Sequence, residues 1–388
     1  MLARSYFDWN ATAPLRLEAR DAIEDALTVT GNPSSVHFEG RSARRLIDRA
    51  REQVAELVGA RPADVFFTSS GTEANMLALT PAIETAPGER PRDRLLVSAI
   101  EHTSVRSGGR FPRMAIEDVP VDSDGHADLA ALRDALRHSS RPLVSLMLAN
   151  NETGVVQPVA EAAAITHEAG GFIHVDAVQA VGRIGCDIKA LGADLLTLSA
   201  HKIGGLKGVG ALVRASEAIH LPEPLIRGGG QERGLRAGTE NVAGIAAFGA
   251  AAAAAARQRA QEAEHMLALR DALEAGLRAI TPQVVIFGAA AERLPNTTLF
   301  SVPGMKAETA VIAFDLEGVA VSSGAACSSG KVQPSHVLAA MGVLPNLVRG
   351  AVRVSLGWST TATDIERFLD AWRKLATALS KGQPMTAA

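Results

Sequence analysis

Leu195-Leu196-Thr197-Leu198-Ser199-Ala200-His201-Lys202-Ile203-Gly204-Gly205-Leu206-Lys207-Gly208 reads as an apolar strand that runs out into a serine, a histidine and a lysine and then into a glycine-rich turn. Similar short apolar runs surround it: Asp64 to Thr68, Arg94 to Ser98, Leu143 to Leu148, Phe172 to Val175 and Val209 to Val213. The segments between them, such as Thr72 to Ile83, Asp128 to Arg137 and Val159 to His167, have the length and periodicity of helices. Continuous apolar strands alternating with helices predict an α/β fold, a mostly parallel central sheet with helices on both faces. In such sheets ligands bind outside the carboxyl ends of the strands, where Ser199, His201 and Lys202 fall.

After Thr239 the pattern changes to one long alanine-rich helical stretch, about Asn241 to Ile280. A smaller set follows, with strands near Val284 to Phe287, Thr298 to Ser301 and Val352 to Leu356 and helices near Ala307 to Leu316 and Asp364 to Leu379. The expected division is a large domain over 14–256 and a small α+β domain over 257–388, joined by an N-terminal segment 1–13.

Composition narrows the function. The 388 residues are 47% hydrophobic and 21% charged with a net charge of −3, so no basic field would hold nucleic acid. The longest apolar stretch, Val242 to Ala256, falls short of the ~20 residues of a membrane-spanning helix. Asp8 arrives before an apolar signal core could form, and two cysteines build no disulfide framework or metal site, so a cytoplasmic protein without metal is expected. There are 7 lysines against 32 arginines, and none precedes Lys189, which leaves few candidates for an imine-forming amine.

Three strand ends carry chemistry. A lysine held partly desolvated at such an edge has a lowered pKa and can form a Schiff base with an aldehyde cofactor, whereas a solvated surface lysine would not. Asp176 closes the run Phe172-Ile173-His174-Val175-Asp176, where it serves either as a helix cap or as the partner of a cationic ring nitrogen. Phe66-Phe67-Thr68-Ser69-Ser70-Gly71-Thr72-Glu73 is a strand, a small-residue turn and a helix start, which is both a capping box and an anion site suited to phosphate. Arg353, inside Val352-Arg353-Val354-Ser355-Leu356, needs a carboxylate, either that of an amino-acid substrate or an internal one.

Taken together, Gly31-Asn32-Pro33-Ser34-Ser35-Val36-His37, Ser70-Gly71-Thr72-Glu73, Glu101-His102, Asn150-Asn151-Glu152-Thr153-Gly154, His174-Val175-Asp176-Ala177-Val178-Gln179, Ser199-Ala200-His201-Lys202 and Arg236-Ala237-Gly238-Thr239 follow one another in a single order, completed by Ser322-Ser323-Gly324-Ala325-Ala326-Cys327 and Arg353-Val354-Ser355-Leu356-Gly357. The ensemble, from Tyr6 to Gly357, resembles the cysteine desulfurases, pyridoxal-phosphate enzymes of the class V aminotransferase group with the type I transferase fold.

The resemblance implies that Lys202 binds pyridoxal 5′-phosphate as an imine, that Asp176 pairs with its ring nitrogen, and that Gln179 and Asn151 bond its polar edge. It implies His102 stacked on the ring and moving protons, the phosphate held by Ser70, Gly71, Thr72, Ser199 and His201, and Thr239 reaching the phosphate of the other subunit of a homodimer. Arg353 and Asn32 would meet the α-carboxylate of L-cysteine. Cys327, in the small polar run Ser322 to Lys331, would take the sulfur as a persulfide and pass it to an acceptor such as an iron–sulfur cluster scaffold protein. Cys186, among apolar neighbours, reads as a small core residue. Trp9, bulky where that family has a small or amide residue, is expected to narrow the substrate entrance. The alternatives are a selenocysteine lyase or another class V aminotransferase-type enzyme, and an inactive sulfur-relay partner on the same scaffold.

Overall fold

The computed structural model describes residues 4–324 and 334–380. In chain order it begins with β1 (Ser5–Tyr6), α1 (Leu17–Leu27), α2 (Phe38–Leu57), β2 (Val65–Thr68), α3 (Gly71–Ala78), β3 (Arg94–Ser98), α4 (Thr103–Arg106) and β4 (Ile116–Val119). Next come α5 (Leu129–Leu136), β5 (Pro142–Met147), α6 (Val159–Glu168), β6 (Phe172–Asp176), β7 (Leu195–Ser199), β8 (Gly210–Arg214) and α7 (Val242–Ile280). The remainder is β9 (Val285–Ile286), β10 (Thr297–Ser301), α8 (Ala307–Leu316), β11 (Val319–Ala320), α9 (His336–Ala340), α10 (Pro345–Val348), β12 (Val352–Ser355) and α11 (Ala362–Ser380).

Seven strands form the main sheet in the order β2-β8-β7-β6-β5-β3-β4. Every neighbouring pair is parallel except those made by β8, which runs against both β7 and β2. The register sets Met147 beside Asp176 and Asp176 beside Thr197, so β5 and β6 end level with one another while β7 runs two residues further, to Ser199. Strand β4 escapes the periodicity because its Ile-Glu-Asp-Val lies at the sheet edge with Glu117 and Asp118 in solvent. Helix α3 stops at Ala78 rather than continuing to Ile83, because Thr80 precedes Pro81 and the proline ring disfavours helical backbone at the residue before it.

The smaller, antiparallel sheet β12-β10-β9 packs with α8 and α11 around its own apolar core, in which Trp372 stands edge-on to Phe300 at 5.2 Å and Phe314 stacks on Phe368 at 5.0 Å. Helix α7 serves both cores: Ile245 to Ala255 belong to the large one and Met266, Leu273 and Leu277 to the small one. The N-terminal segment ties them further, since β1 pairs with β11 while Ala13 N–H donates to His201 O at 2.9 Å. Arg16 lies over the Trp358 ring at 3.8 Å and is forked to Glu262 at 2.7 Å. No helix among the described residues is long and apolar enough to cross a membrane.

Trp9 does not narrow an entrance. It is buried edge-on against Trp358 at 4.7 Å, over Gly357, where a side chain at 357 would fall on its indole. Bulk at position 9 is therefore matched by a glycine and an aromatic partner in the small domain.

Helices α1 and α2 lie along α7. At Gly249 a Cβ would fall on the Ala50 backbone and within 2.6 Å of Ala50 Cβ. A Gly→Ala change inside a helix ordinarily stabilises by about 1 kcal/mol. Gly249→Ala is expected to reverse that sign, lowering the denaturant midpoint, because α2 must move off α7.

Candidate active site

The carboxyl ends of five parallel strands open onto one cavity of ≈ 260 Å³. After β2 the chain enters α3, with Ser70 as its cap: Ser70 Oγ accepts from Glu73 N at 3.1 Å, and the Glu73 carboxylate turns back to accept from Ser69 N at 2.9 Å. Gly71 and Thr72 are the first two helical residues, so their N–H groups have no carbonyl one turn back and face the cavity at the positive end of the helix. Strand β8 passes so close beneath this turn that a Cβ on Gly210 would strike the Ser70–Gly71 peptide.

Asp176, the last residue of β6, is buried. Its carboxylate accepts from Asn75 Nδ2 at 2.9 Å and from Val178 N at 3.0 Å. It caps the following turn through Val178, and it stands in the cavity wall. Beyond β5, Asn150 Oδ1 accepts from Glu152 N at 2.9 Å and Thr153 N at 3.0 Å, and Gly154 has φ +77°, which closes a tight turn that displays Asn151. Gln179 Nε2 donates to Asn10 O at 3.0 Å, and its Oε1 accepts from buried Arg183 at 2.7 Å.

Lys202 ends the 3-10 turn Ala200–Lys202 that follows β7, and Nζ donates to Asn10 O at 2.5 Å and Ala11 O at 2.9 Å. Desolvation, with the charges of Arg353 and Arg183 nearby, pushes the amine down to about 7 against the opposite pull of Asp8 and Asp176. Burial likewise pushes His201 down to about 4, helped by Lys202. His102 is lowered by burial, partly offset by Asp176, and its Nδ1 lies 2.8 Å from Ser104 Oγ. At neutral pH the cavity therefore presents an amine that is free in a substantial fraction of molecules and two neutral imidazoles.

Two buried carboxyls stand behind this wall. Burial, then Asp176, holds Glu101 well above the carboxylate range, and burial raises Glu152, whose Oε2 accepts from Ser335 Oγ at 2.5 Å.

Of the expected site residues, Ser70, Gly71, Thr72, His102, Asn151, Asp176, Gln179, Ser199, His201 and Lys202 all line this one cavity. Arg353 does not. It is buried behind Asn151, donating to Asn151 O and to Asp8 Oδ1, each at 2.9 Å, so in this structure its carboxylate is internal. Asn32 and Thr239 are exposed and outside the cavity wall, and Asn32 Oδ1 accepts from Ser34 N at 2.9 Å. Cys327 lies outside the described residues.

Asn75, Ser104 and the carbonyls of Asn10 and Ala11 join the site beyond the residues expected from the sequence. Asn75 had a readable signal: four residues beyond Gly71 in α3, it lies on the same helix face as the turn. The carbonyls have none, because every residue carries one.

A pocket at the carboxyl edge of a parallel sheet, walled by an amine-bearing lysine, a buried aspartate and a helix N-terminus, defines a class of enzyme before it defines a member. A family model described as Aminotransferase class-V matches residues 5–368, and the chain belongs to that family. A cysteine desulfurase of Cereibacter sphaeroides is 43% identical over 379 residues, covering 95% of this chain and 95% of the relative. Cysteine desulfurase IscS of Dictyoglomus turgidum is 40% identical over 384 residues, covering 98% and 96%. Among solved structures, a NifS-like protein from Rickettsia africae superposes with a TM-score of 0.87 at 37% identity, covering 97% of this chain and 100% of that one.

Cys186 is buried in the large core, and burial pushes its thiol up to about 12. It is expected to resist iodoacetamide at pH 8 in the native protein and to react once the chain is unfolded, as read by mass spectrometry of the peptide that carries it.

Proposed function

We propose that the cavity holds pyridoxal 5′-phosphate and that the chain is a cysteine desulfurase, converting L-cysteine to L-alanine and leaving the sulfur on Cys327 as a persulfide. The observation that carries this reading is the Lys202 amine, pushed down to about 7, in the same wall as the buried Asp176 carboxylate and the open N-terminus of α3. These donors suit the cofactor's three functional ends: an amine for its aldehyde, a carboxylate for its ring nitrogen, and Gly71, Thr72, Ser70, Ser199 and neutral His201 for its phosphate. Bound there, the cofactor would supply an aldehyde and an electron-withdrawing ring that acidifies the substrate Cα and so eases cleavage of the bond between Cβ and sulfur.

The remaining steps belong to the protein. Asn75 and Val178 fix the Asp176 carboxylate, and Arg183 orients Gln179 toward the ring edge. Lys202, free in a substantial fraction of molecules near neutral pH, would move protons at the substrate Cα and Cβ, and neutral His102, in the same cavity wall, would accept a proton there. The Cys327 thiolate attacks the substrate sulfur; the carbon–sulfur bond breaks, its electron pair stays with carbon, and protonation there yields alanine. Arg353, behind Asn151 and bonded to Asp8 in this structure, would have to give up Asp8 to receive the α-carboxylate.

Thr239 and Asn32, exposed and away from the cavity of their own chain, fit a homodimer in which each subunit completes its partner's site. Transfer of the persulfide sulfur to an iron–sulfur cluster scaffold in the cytoplasm belongs to the same reading and is supported by the name IscS of one relative. So does the division into 14–256 and 257–388 with 1–13 attached, since α7 passes from one core to the other between Ala255 and Met266. The selenocysteine-lyase alternative is not favoured by the relatives, which are named for cysteine.

Purified protein given L-cysteine and a thiol reductant should release alanine and sulfide in equal amounts. Lys202→Ala and Cys327→Ala should each lower the rate at least about 10²-fold. Sulfide release undiminished in Cys327→Ala would remove the persulfide step. The free-base fraction of Lys202 grows as pH rises through about 7, so uptake of pyridoxal phosphate by the apoprotein, followed by absorbance, should quicken about tenfold per pH unit below 7 and level off above it. A rate still climbing at pH 9 would mean an ordinary lysine.

A further inference from the structure

We propose that Asp8 is a built-in carboxylate that occupies Arg353 in the free enzyme and is displaced by the α-carboxylate of the incoming amino acid, so that it sets the affinity for substrate. This rests on Arg353 being the substrate-carboxylate site of the functional reading above. The geometry lies in how the guanidinium is used. Its Nη1 is committed to Asn151 O, which leaves the side edge made by Nε and Nη2. Two parallel N–H groups along that edge match the two oxygens of one carboxylate. Asp8 Oδ1 takes Nη2 at 2.9 Å, while Nε is buried without a hydrogen-bond partner. The edge is half filled, and a carboxylate that engages both donors gains a hydrogen bond that Asp8 does not make.

Asp8 is placed to yield. Its side chain is one-quarter exposed, whereas that of Arg353 is 6% exposed, so a released Asp8 carboxylate returns toward water while the guanidinium stays buried. The main chain around it is anchored by bonds that do not involve that side chain. Asp8 O accepts from Ala11 N at 3.0 Å, Ser355 N donates to Phe7 O at 2.8 Å, and Asn10 N donates to Ser355 Oγ at 2.9 Å. The side chain can therefore leave Arg353 without the segment leaving its place, and the Asn10 and Ala11 carbonyls stay beside Lys202. Arg353 also faces Arg183 and the partly protonated Lys202, so in the free enzyme Asp8 supplies the negative charge beside these groups that a substrate carboxylate would otherwise supply.

The test uses the full-length enzyme loaded with pyridoxal phosphate and the variants Asp8→Asn, Asp8→Ser and Asp8→Glu. Removing the charge leaves Arg353 unpaired in the free enzyme, so KM for L-cysteine should fall, and the dissociation constant of L-alanine, titrated on the cofactor absorbance, should fall with it, each about three- to tenfold in the Asn and Ser variants. Asp8→Glu, which keeps a carboxylate, should stay close to wild type and serves as the folding control. Cysteamine, which lacks the carboxylate, should bind all four proteins alike; it takes out any effect that Asp8 has through Lys202, which it also faces. Unchanged or raised KM in both neutral variants, or an equal shift for cysteamine, would overturn the proposal. A wild-type enzyme that makes no alanine from L-cysteine would instead overturn the functional reading, and this proposal with it.

Discussion

Lys202 Nζ lies half-buried between two main-chain carbonyls, with the guanidinium groups of Arg353 and Arg183 near enough to push its proton off. An ammonium in that position loses hydration and meets like charge, whereas a neutral amine loses little. The surroundings answer to this constraint. Asp176 is held in the wall by two donors, Asp8 sits against Arg353, and the histidines on either side, His102 and His201, are kept neutral by their own burial. A nucleophilic amine at neutral pH follows from how these charges are packed, with no unusual chemistry in the lysine itself.

That packing depends on two cores meeting. The sheet supplies Asp176 and Lys202 from neighbouring strand ends, but the oxygens that hold Lys202 come from residues 10 and 11, and Arg353 comes from β12 of the small domain. The N-terminal segment passes between them, and Asn10 touches both sides. Its carbonyl accepts from Lys202 and from Gln179, while its side chain bonds Thr297 and Asn296. The fit between the two cores and the position of the oxygens on Lys202 are therefore linked through one residue.

Much of this was legible in the chain. The apolar runs give all of the main-sheet strands except β4, because a strand buried on both faces needs a continuous apolar sequence and an edge strand does not. The direction of β8 was not legible, since an antiparallel strand buried in the same layer carries the same apolar pattern. Ser70, Asp176 and Lys202 could be placed because each ends an apolar run, and a polar group at such an end has few bland uses. Asn75 is not marked by the chain although it lies one turn from Gly71, because its role depends on Asp176, which is 101 residues away. Trp9 looks like an obstacle in the sequence because nothing local shows that Gly357 leaves room for it.

By itself the sequence determined which residues stand at the carboxyl edge of the sheet, because alternation of apolar runs and helices with polar strand ends is a local property of the chain. It also separated Cys186, set among apolar neighbours, from Cys327 in its small polar run. Only the tertiary structure decided that Arg353 meets Asp8 across 345 residues and leaves its Nε unmet, and that carbonyls rather than side chains hold Lys202. The physical reason is that an ion pair or a carbonyl contact carries no pattern along the chain. It exists only once two separately buried cores have brought the groups within reach.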